Sequence, residues 1–245
     1  MRRKVEPLLC ELHAHTRWSD GALTLPELVD LYGTNGFDVL AVTDHVVRCE
    51  SPWLADDGLP FGVHAAKHAD YLAEIAAQAE RARRDYDLLV LPGLELTYDD
   101  PDPFSSAHTV AVGLHDFVSL DDGIEPALVK ARDTGAALIA AHPYRRGDGD
   151  IPPTRPTQRF SRDWRELAPL VDRWELFNRR ELFAWVAERE LPAVASGDFH
   201  QPEHLFGWKT LLPCAKREDA VVEYLRSGRP AFLTRTDDVP LRRAA

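Results

Sequence analysis

Short apolar runs alternate with helix-like segments along most of the chain, and this alternation limits the possible fold more than any other feature. A continuous apolar run is typical of a parallel strand that is buried on both faces, and the amphipathic segments between the runs have the periodicity of helices. The sequence therefore predicts an α/β fold with about seven parallel strands. The predicted strands cover residues 37–42, 88–91, 109–114, 136–141, 171–177, 192–195 and 230–233. The predicted helices cover residues 24–34, 64–85, 124–134, 164–170, 180–189 and 218–226.

The segment His13-Ala14-His15, followed by Asp20, is the first of several motifs that are rich in histidine. Two histidines at positions i and i+2 do not share one face of a helix or of a regular strand. They converge on one point only where the chain leaves a strand and turns into a loop. Histidine is the commonest metal ligand but also an ordinary residue, so this motif alone is compatible with a metal site and with two unrelated structural histidines.

Further histidines and acids directly follow other predicted strands. In a parallel barrel the carboxyl ends of all strands share one face, and that face carries the site. His108 precedes its predicted strand, so this geometry alone does not place it there. The residues that follow strand ends are His13 and His15, then His45, then Glu95, then His142, and finally Asp198 and His200.

The mixture of imidazole and carboxylate donors is typical of zinc, manganese or iron rather than of a cysteine-bound structural zinc. With Asp20 and His108 included, the candidate ligands exceed what one ion needs, so we expect about two to three divalent transition-metal ions. The remaining histidines have no such partners in the pattern and are interpreted as ordinary surface or core residues. They are His64, His68, His115 and His204.

Composition and charge limit the functions that remain. The net charge of -11 disfavours a protein that binds long nucleic acid, because such a protein needs a basic surface. The three cysteines show no CxxC spacing and favour a reducing compartment. No apolar run approaches the roughly 18 residues of a membrane span. We therefore expect a cytoplasmic protein with no membrane partner and a single domain over residues 1–245, whereas its oligomeric state is not predicted.

Taken together, these motifs resemble those of the PHP (polymerase and histidinol phosphatase) family of metal-dependent phosphoesterases. The resemblance extends over residues 11–200 and is specific, because the elements agree with the family in order and spacing. They are His13-Ala14-His15, Asp20, Thr43-Asp44-His45, Gly93-Leu94-Glu95, His108, Ala141-His142-Pro143 and Gly197-Asp198-Phe199-His200.

The resemblance implies a distorted (β/α)7 barrel similar to a TIM barrel, with three metal positions. The first position would be held by His13, His15, Glu95 and Asp198. The second would be held by Glu95, as a bridge, with His108 and His142. The third would be held by Asp20, His45 and His200. In this scheme the residues with a direct catalytic role are Glu95, Asp198 and His200.

The segment His142-Pro143-Tyr144-Arg145 resembles the HPxR segment of small-molecule PHP phosphatases, where the arginine contacts phosphate. A planar guanidinium suits bidentate phosphate binding, so Arg145 is the predicted substrate contact, with Arg146 or Arg180 as alternatives. Asp44 is either a partner that orients an imidazole or a structural residue of a turn. Four loop aromatics either stack on a substrate base or pack the loops, namely Trp53, Tyr98, Phe104 and Tyr144.

The resemblance thus implies an enzyme that hydrolyses a phosphate ester of a small metabolite, of the histidinol-phosphate or nucleotide type. A hydroxide held between two ions about 3.5–4 Å apart would attack phosphorus. One alternative is an exonuclease acting on short oligonucleotides. Another is a non-catalytic PHP module of a larger assembly, which the complete set of ligands disfavours. The sequence does not identify the substrate, the physiological metal or the acid that protonates the leaving group.

Overall fold

A computed structural model describes residues 6–51, 62–145 and 157–236 of the chain. These residues form a mixed α/β fold built on one curled sheet, whose strands follow the order β11-β10-β1-β2-β4-β5-β6-β7-β8, with β3 beside β4 and β9 beside β7. The strands are β1 (Leu8–Glu11), β2 (Val39–Val42), β3 (His45–Val46), β4 (Leu89–Tyr98), β5 (Ala107–Val112), β6 (Ala137–Ala140), β7 (Arg173–Asn178), β8 (Glu181–Leu182), β9 (Ala193–Ser196), β10 (Gly207–Leu212) and β11 (Phe232–Thr236).

Seven α-helices connect the strands within the described part of the chain. They are α1 (Leu25–Thr34), α2 (His68–Tyr86), α3 (Ile124–Asp133), α4 (Arg159–Arg162), α5 (Trp164–Leu167), α6 (Ala184–Glu188) and α7 (Glu218–Arg226). A turn of 3-10 helix covers Pro202–Leu205. None of the helices in residues 6–51, 62–145 and 157–236 combines the length and the apolar character that crossing a membrane requires.

The sheet is mixed, whereas the sequence predicted parallel strands throughout. Strands β1, β2 and β4 run parallel to one another, as do β6, β7 and β9. Strand β5 runs antiparallel to both β4 and β6, and β10 runs antiparallel to β1. The antiparallel strand β5 brings its amino-terminal end to the edge where its parallel neighbours end. The observed architecture is therefore a curled, mixed sheet with helices packed against it. The complete (β/α)7 barrel that we expected is not confirmed.

The two ends of the sheet approach each other beyond β1 and β9. The N–H of His15 donates to the carbonyl of Phe199 at 2.8 Å, and the N–H of Phe199 donates to the carbonyl of His13 at 3.1 Å. A parallel bridge pairs Ala14 with Phe199. The curl of the sheet therefore brings the first and the last histidine motifs of the chain side by side.

The apolar runs form strands because both of their faces are covered. Side chains of a strand alternate between the two faces of the sheet, and in β2 Val39 and Ala41 belong to one buried cluster while Leu40 and Val42 belong to the other. The cluster with Leu40 and Val42 also includes residues of helices α1 and α2. The cluster with Val39 and Ala41 includes residues of helix α7. Burial on both faces explains why these strands have no polar alternation.

Helix α1 begins where the sequence predicted. The side chain of Thr24 accepts a hydrogen bond from the N–H of Glu27, and the Glu27 carboxylate accepts one from the N–H of Thr24 at 2.8 Å. This capping box satisfies two N–H groups that the first turn leaves without partners. Beyond the helix Gly36 adopts a φ of 74°, which glycine tolerates more readily than other residues. The capping and the stop signal therefore fix both ends of α1.

Several elements differ from the sequence prediction, and two of these differences have a clear physical cause. The predicted helix at 180–189 is only α6, because Asn178 pairs with Glu181 and Phe177 pairs with Leu182 in a β-hairpin. Strand β10 was not predicted, because Lys209 interrupts its apolar pattern. Lys209 is nevertheless fully buried, and its Nζ lies 2.8 Å from Oε2 of the buried Glu11. Strand pairing and a buried ion pair thus overrode the local pattern.

Candidate functional site

The carboxyl edge of the parallel strands brings together all nine candidate metal ligands of the sequence analysis. Most of them are fully buried or nearly so, although Asp20 and His200 remain partly accessible. Three overlapping groups of their donor atoms lie close enough to share an ion. The groups are His15, Asp20, His45 and His200; His13, Glu95 and His142; and His13, His15 and Asp198.

The predicted first position brings two imidazoles together with two carboxylates. The Nε2 atom of His13 lies 3.4 Å from Oε2 of Glu95 and 3.6 Å from Oδ1 of Asp198. The Nε2 atom of His15 lies 3.4 and 3.5 Å from the same two oxygens. Ligands at about 2.0–2.2 Å from a tetrahedral ion stand about 3.3–3.6 Å from one another. Each of the two imidazole nitrogens therefore lies at tetrahedral spacing from both carboxylate oxygens.

Glu95 connects this position to the predicted second one. Its Oε2 faces His13 and His15, whereas its Oε1 lies 3.3 Å from Nδ1 of His108 and 3.2 Å from Nε2 of His142. The carboxylate thus directs one oxygen to each position, as a bridging ligand would. His108 reaches the site although it lies near the start of β5, because β5 is antiparallel to β4 and Thr97 pairs with His108.

The predicted third position lies beside the first, on the more accessible side. Asp20 directs Oδ2 to Nε2 of His200 at 3.1 Å and Oδ1 to Nε2 of His45 at 3.5 Å. The ring of His15 is stacked on that of His45, with centroids 4.2 Å apart. Asp20, His45 and His200 therefore lie together, as the sequence predicted.

The outer ring nitrogens of the histidines are held by neighbouring oxygen atoms. For example, Nδ1 of His13 lies 3.0 Å from Oε1 of Glu175, and Nε2 of His108 lies 2.9 Å from Oδ1 of Asp99. A proton fixed on the outer nitrogen leaves the lone pair of the inner nitrogen free for a metal. The other pairs are His15 with Ser19, His45 with Thr97, His142 with Thr157, and His200 with the carbonyl of Asp198.

Asp44 belongs to this outer set through a short chain of hydrogen bonds. Its carboxylate accepts hydrogen bonds from the N–H and the hydroxyl of Thr16 at 2.8 Å and from the hydroxyl of Ser19 at 2.6 Å. Ser19 in turn lies 3.5 Å from Nδ1 of His15. Asp44 therefore fixes the loop that carries the first histidine motif and reaches the His15 imidazole only through Ser19.

Unpaired buried atoms provide an independent test of whether these residues fit a metal. The inner nitrogens of His13, His15 and His108 are buried and make no hydrogen bond. The buried Oε2 of Glu95 also makes no hydrogen bond of acceptable geometry, although Nδ1 of His45 lies 2.8 Å from it. Buried polar atoms without partners cost free energy. Their convergence on shared points, with donor types that suit zinc, manganese or iron, shows that the residues fit divalent metal ions.

The electrostatics of the site also favour bound cations. Burial raises the pKa of the Glu95 carboxyl, but the imidazoles of His45 and His13 outweigh it and hold that pKa well below its usual range. Burial, together with the neighbouring His45 and His200, lowers the pKa of His15 to about 3. Burial lowers the pKa of His200, but its contacts with Asp198 and Asp20 outweigh this effect and raise it to about 10. The carboxylates thus require positive charge beside them, which protons or metal ions supply.

Two ligands have unusual backbone conformations. His142 has a φ of 28° and Asp198 a φ of 42°, a region that favours glycine. Such strained residues persist only where surrounding contacts hold them, and they cluster at functional sites. Here the N–H of His142 donates to Oε2 of Glu175 at 2.6 Å, and the guanidinium of Arg179 donates to the carbonyl of Asp198 at 2.9 Å. These contacts aim both side chains at the site.

A cavity of about 600 Å³ opens directly beside the ligands. Its wall includes Arg180, which is exposed and makes no hydrogen bond or ion pair with any described residue. Two negatively charged residues, Glu181 and Glu203, line the same cavity. The remaining lining residues are His45, His108, His142, Tyr144, Asn178, Arg179, Asp198, His200, His204 and Phe206.

The structure does not place Arg145 where the resemblance predicted. Its Nη1 donates to Oε2 of Glu188 at 2.8 Å, and its side chain is not among those that line the cavity. The reason lies in the chain direction after His142, which turns Tyr144 into the cavity and Arg145 toward α6. Arg146, one alternative to Arg145, and Trp53, one of the four loop aromatics, lie outside the described residues.

Two residues of the site were missed by the sequence analysis. Glu175 lies inside β7, where it reads as a polar interruption of an apolar run, and Asp99 lies in an acidic loop. Glu175 does not follow a strand end, and Asp99 follows β4 only because that strand extends to Tyr98, beyond the predicted end at residue 91. A fully buried acid within a strand predicted to be covered on both faces was the one signal that could have identified Glu175.

Comparisons with known proteins agree with this fold. No protein-family model matches the chain. It is 26% identical over 242 residues to the DNA polymerase/3'-5' exonuclease PolX of Bacillus subtilis (strain 168), which covers 93% of this chain but only 41% of that relative's length. The chain thus spans less than half of this curated relative.

Two solved structures share the fold. A two-domain protein from Bacteroides vulgatus ATCC 8482, described as containing a predicted PHP-like metal-dependent phosphoesterase, matches with a TM-score of 0.61 at 19% identity, over 93% of this chain and 64% of that one. An amidohydrolase from Chromobacterium violaceum, with bound sulfate and no metal, matches with a TM-score of 0.56 at 18% identity, over 94% and 98% of the two chains. The resemblance to PHP proteins is therefore confirmed at the level of the fold.

Proposed function

We propose that the chain is a metal-dependent phosphoesterase that hydrolyses a phosphate ester of a small metabolite. The observation that carries this proposal is the convergence of eight imidazole and carboxylate side chains in three overlapping groups, with His108 beside Glu95 and with unpaired buried donor atoms among them. The neighbour that holds sulfate, an ion with the shape of phosphate, supports the proposal. So does the PHP-like fold.

The chemistry can be assigned to named residues. Bound divalent ions would activate a water molecule for attack on phosphorus and offset the charge of the phosphate oxygens. His13, His15 and Asp198 would hold the ion of the first position, and Glu95 would fix the distance to the second through its two oxygens. His200 lines the cavity from which a substrate phosphate would approach, whereas the fully buried Glu95 is not among the lining residues. These residues therefore supply a rigid set of ligands that is in place before substrate binds.

The cavity supports a small substrate. Its volume of about 600 Å³ lies within the usual range of pockets for small molecules. Two arginines and two glutamates share its wall, so the part of the wall formed by described residues has no continuous basic track for a long polyanion. Tyr144 and Phe206 offer aromatic surface for an organic group attached to the phosphate. A phosphorylated metabolite of about nucleotide size fits these features better than duplex nucleic acid.

A second candidate is exonuclease activity on short oligonucleotides. It is supported by the sequence similarity to a protein named as a 3'-5' exonuclease, of which this chain covers only part. The same ligands could serve either reaction, since both break a phosphate ester bond. The walls of the cavity, rather than the metal ligands, would decide between the substrates.

One experiment tests the function directly. The purified protein, supplied with Mn²⁺ and separately with Zn²⁺, is assayed for product formation on histidinol phosphate, nucleoside monophosphates and bisphosphates, and short single-stranded oligonucleotides. We expect metal-dependent phosphate release from one class of small phosphate esters. Cleavage of oligonucleotides alone would support the second candidate. A protein that binds the metals but hydrolyses none of these substrates, nor generic aryl phosphates, would contradict the proposal.

Arg180 should bind the substrate phosphate in place of Arg145. The hairpin turn between β7 and β8 places Arg180 on the cavity wall, where it has no partner among residues 6–51, 62–145 and 157–236. Loss of a charge-assisted hydrogen bond costs about 1.5–3 kcal/mol, so Arg180→Met should raise KM about 10–100-fold. The kcat should change much less, because the metal ligands are untouched.

Arg145→Met is the matched control for this substitution. It removes an exposed ion pair with Glu188, an interaction that usually contributes little, so KM should stay within about twofold of the wild type. Steady-state kinetics on the substrate identified by the panel provide the measurement. A large rise of KM in Arg145→Met together with an unchanged KM in Arg180→Met would reverse the assignment.

A further inference from the structure

Glu175 is a fully buried carboxylate that four hydrogen-bond donors surround. Its Oε1 accepts from Nδ1 of His13 at 3.0 Å and from the hydroxyl of Ser196. Its Oε2 accepts from the N–H of His142 at 2.6 Å and from the side-chain amide of Asn178 at 2.9 Å. The group therefore uses both oxygens fully and makes no contact with the cavity.

The two ligand contacts of Glu175 belong to different metal positions. His13 is a ligand of the proposed first position, and His142 is a ligand of the proposed second position. Through its four hydrogen bonds Glu175 contacts four segments of the chain: the loop after β1, the turn after β6, its own strand β7, and the end of β9. Among the carboxylates of the described residues that are not themselves candidate ligands, only Glu175 bonds to ligands of both positions.

We propose, on the basis of the proposed metal-dependent function, that Glu175 is a positioning residue that holds the first and second metal positions in register. Its first oxygen keeps a proton on Nδ1 of His13, so the Nε2 lone pair of His13 faces the ion. Its second oxygen holds the strained backbone of His142, whose φ is 28°, so that Nε2 of His142 reaches Oε1 of Glu95. One carboxylate thereby fixes a side chain at one position and a backbone at the next.

The geometry explains why an uncharged isostere should fail. In Glu175→Gln one acceptor oxygen becomes an NH₂ group, which would face other donors whichever way the amide is oriented. A buried donor then lacks a partner, and either His13 or His142 loses its support. Loss of an outer-shell partner typically weakens metal binding about 10–100-fold, and here the loss should affect the first or the second position.

The test measures metal binding rather than turnover. Metal-free wild type, Glu175→Gln and Ser196→Ala are titrated with Zn²⁺ in competition with a chromophoric chelator, and urea unfolding of each metal-free protein reports its stability. Ser196→Ala is the matched control, since it removes a hydrogen bond to the same carboxylate from a residue that is not a ligand. We expect Glu175→Gln to bind at least one ion about 10–100-fold more weakly than the wild type, and Ser196→Ala to bind within about threefold of it.

The outcomes separate this inference from the proposed function. Wild-type affinities in folded Glu175→Gln, or equal losses in both variants, would show that Glu175 has only a structural role. If Glu175→Gln does not fold, Glu175→Asp replaces it, because it keeps the charge but withdraws the oxygens from His13 and His142; unchanged affinities in that variant would overturn the inference. A folded wild type that binds no Zn²⁺ would overturn the proposed function itself.

Discussion

Glu95→Gln should abolish hydrolysis, with a loss of activity of about 10³-fold or more, since metal ions contribute several kcal/mol of transition-state stabilisation. Glu95 directs one oxygen to His13 and His15 and the other to His108 and His142, so it faces both of the proposed metal positions. An amide of the same size leaves the volume of the buried site unchanged but removes the negative charge and one acceptor. Rates with saturating Mn²⁺ on the substrate from the panel measure the effect.

A matched substitution isolates the effect of the charge at the site. Glu80→Gln makes the same chemical change on the exposed face of α2, away from the ligands, and should retain wild-type activity. Metal content should fall in Glu95→Gln and not in Glu80→Gln. Full activity of Glu95→Gln would show that Glu95 is not a ligand, and the assignment of the first and second positions would then be wrong.

Removal of metal should lower the thermal stability of the protein by a large amount. The metal-free site brings buried carboxylates and imidazoles together with unpaired donor atoms, which an ion would satisfy. An ion present at about 1,000 times its Kd stabilises the folded state by about 4 kcal/mol. For a chain of this size that corresponds to a rise in Tm of about 8–16 °C per site. Thermal unfolding after chelation and after addition of Zn²⁺ or Mn²⁺ measures the difference.

The same experiment on Asp198→Asn provides its control. Asp198 lies 3.6 and 3.5 Å from the inner nitrogens of His13 and His15, so its loss should remove most of the metal-dependent increase at the first position. The metal-free Tm of the two proteins should differ much less than their metal-loaded values. An equal metal-dependent increase in both proteins would indicate that the ions bind elsewhere on the chain.

The proximity of the candidate ligands could be predicted because most of them follow strand ends. His13, His45 and His142 follow buried parallel strands, and parallel strands share the edge at which they end. His108 shows the limit of that rule. It was placed in the set by resemblance, and the antiparallel pairing of β5 with β4 is the physical reason that it arrives at the same edge.

The direction of side chains beyond the motifs could not be predicted. Whether Arg145 or Arg180 faces the cavity depends on a hairpin between β7 and β8, and the sequence of that hairpin has the pattern of a helix. Strand pairing decided the outcome against local propensity. The proposed outer contact of Glu175 depends on four segments that are distant in sequence, so no local pattern reveals it.

The fold was predicted to the extent that local patterns control it. Helix α7 has the predicted bounds, and α1 begins at the predicted capping box. Strand β10 was missed because a charged residue lies in it, and the burial of Lys209 is possible only because Glu11, from β1, pairs with it. The pattern of apolar residues therefore does not predict contacts between distant segments, such as the antiparallel pairing of β10 with β1.

Elemental analysis of the purified protein is the most direct test of the central claim that these nine side chains form a polynuclear metal centre. Protein expressed with Mn, Fe and Zn in the medium, passed through gel filtration and analysed by inductively coupled plasma mass spectrometry, should contain about two to three transition-metal ions per chain. Glu95→Gln should contain fewer. A folded, monodisperse protein that holds no transition metal after supplementation with each ion would contradict the account.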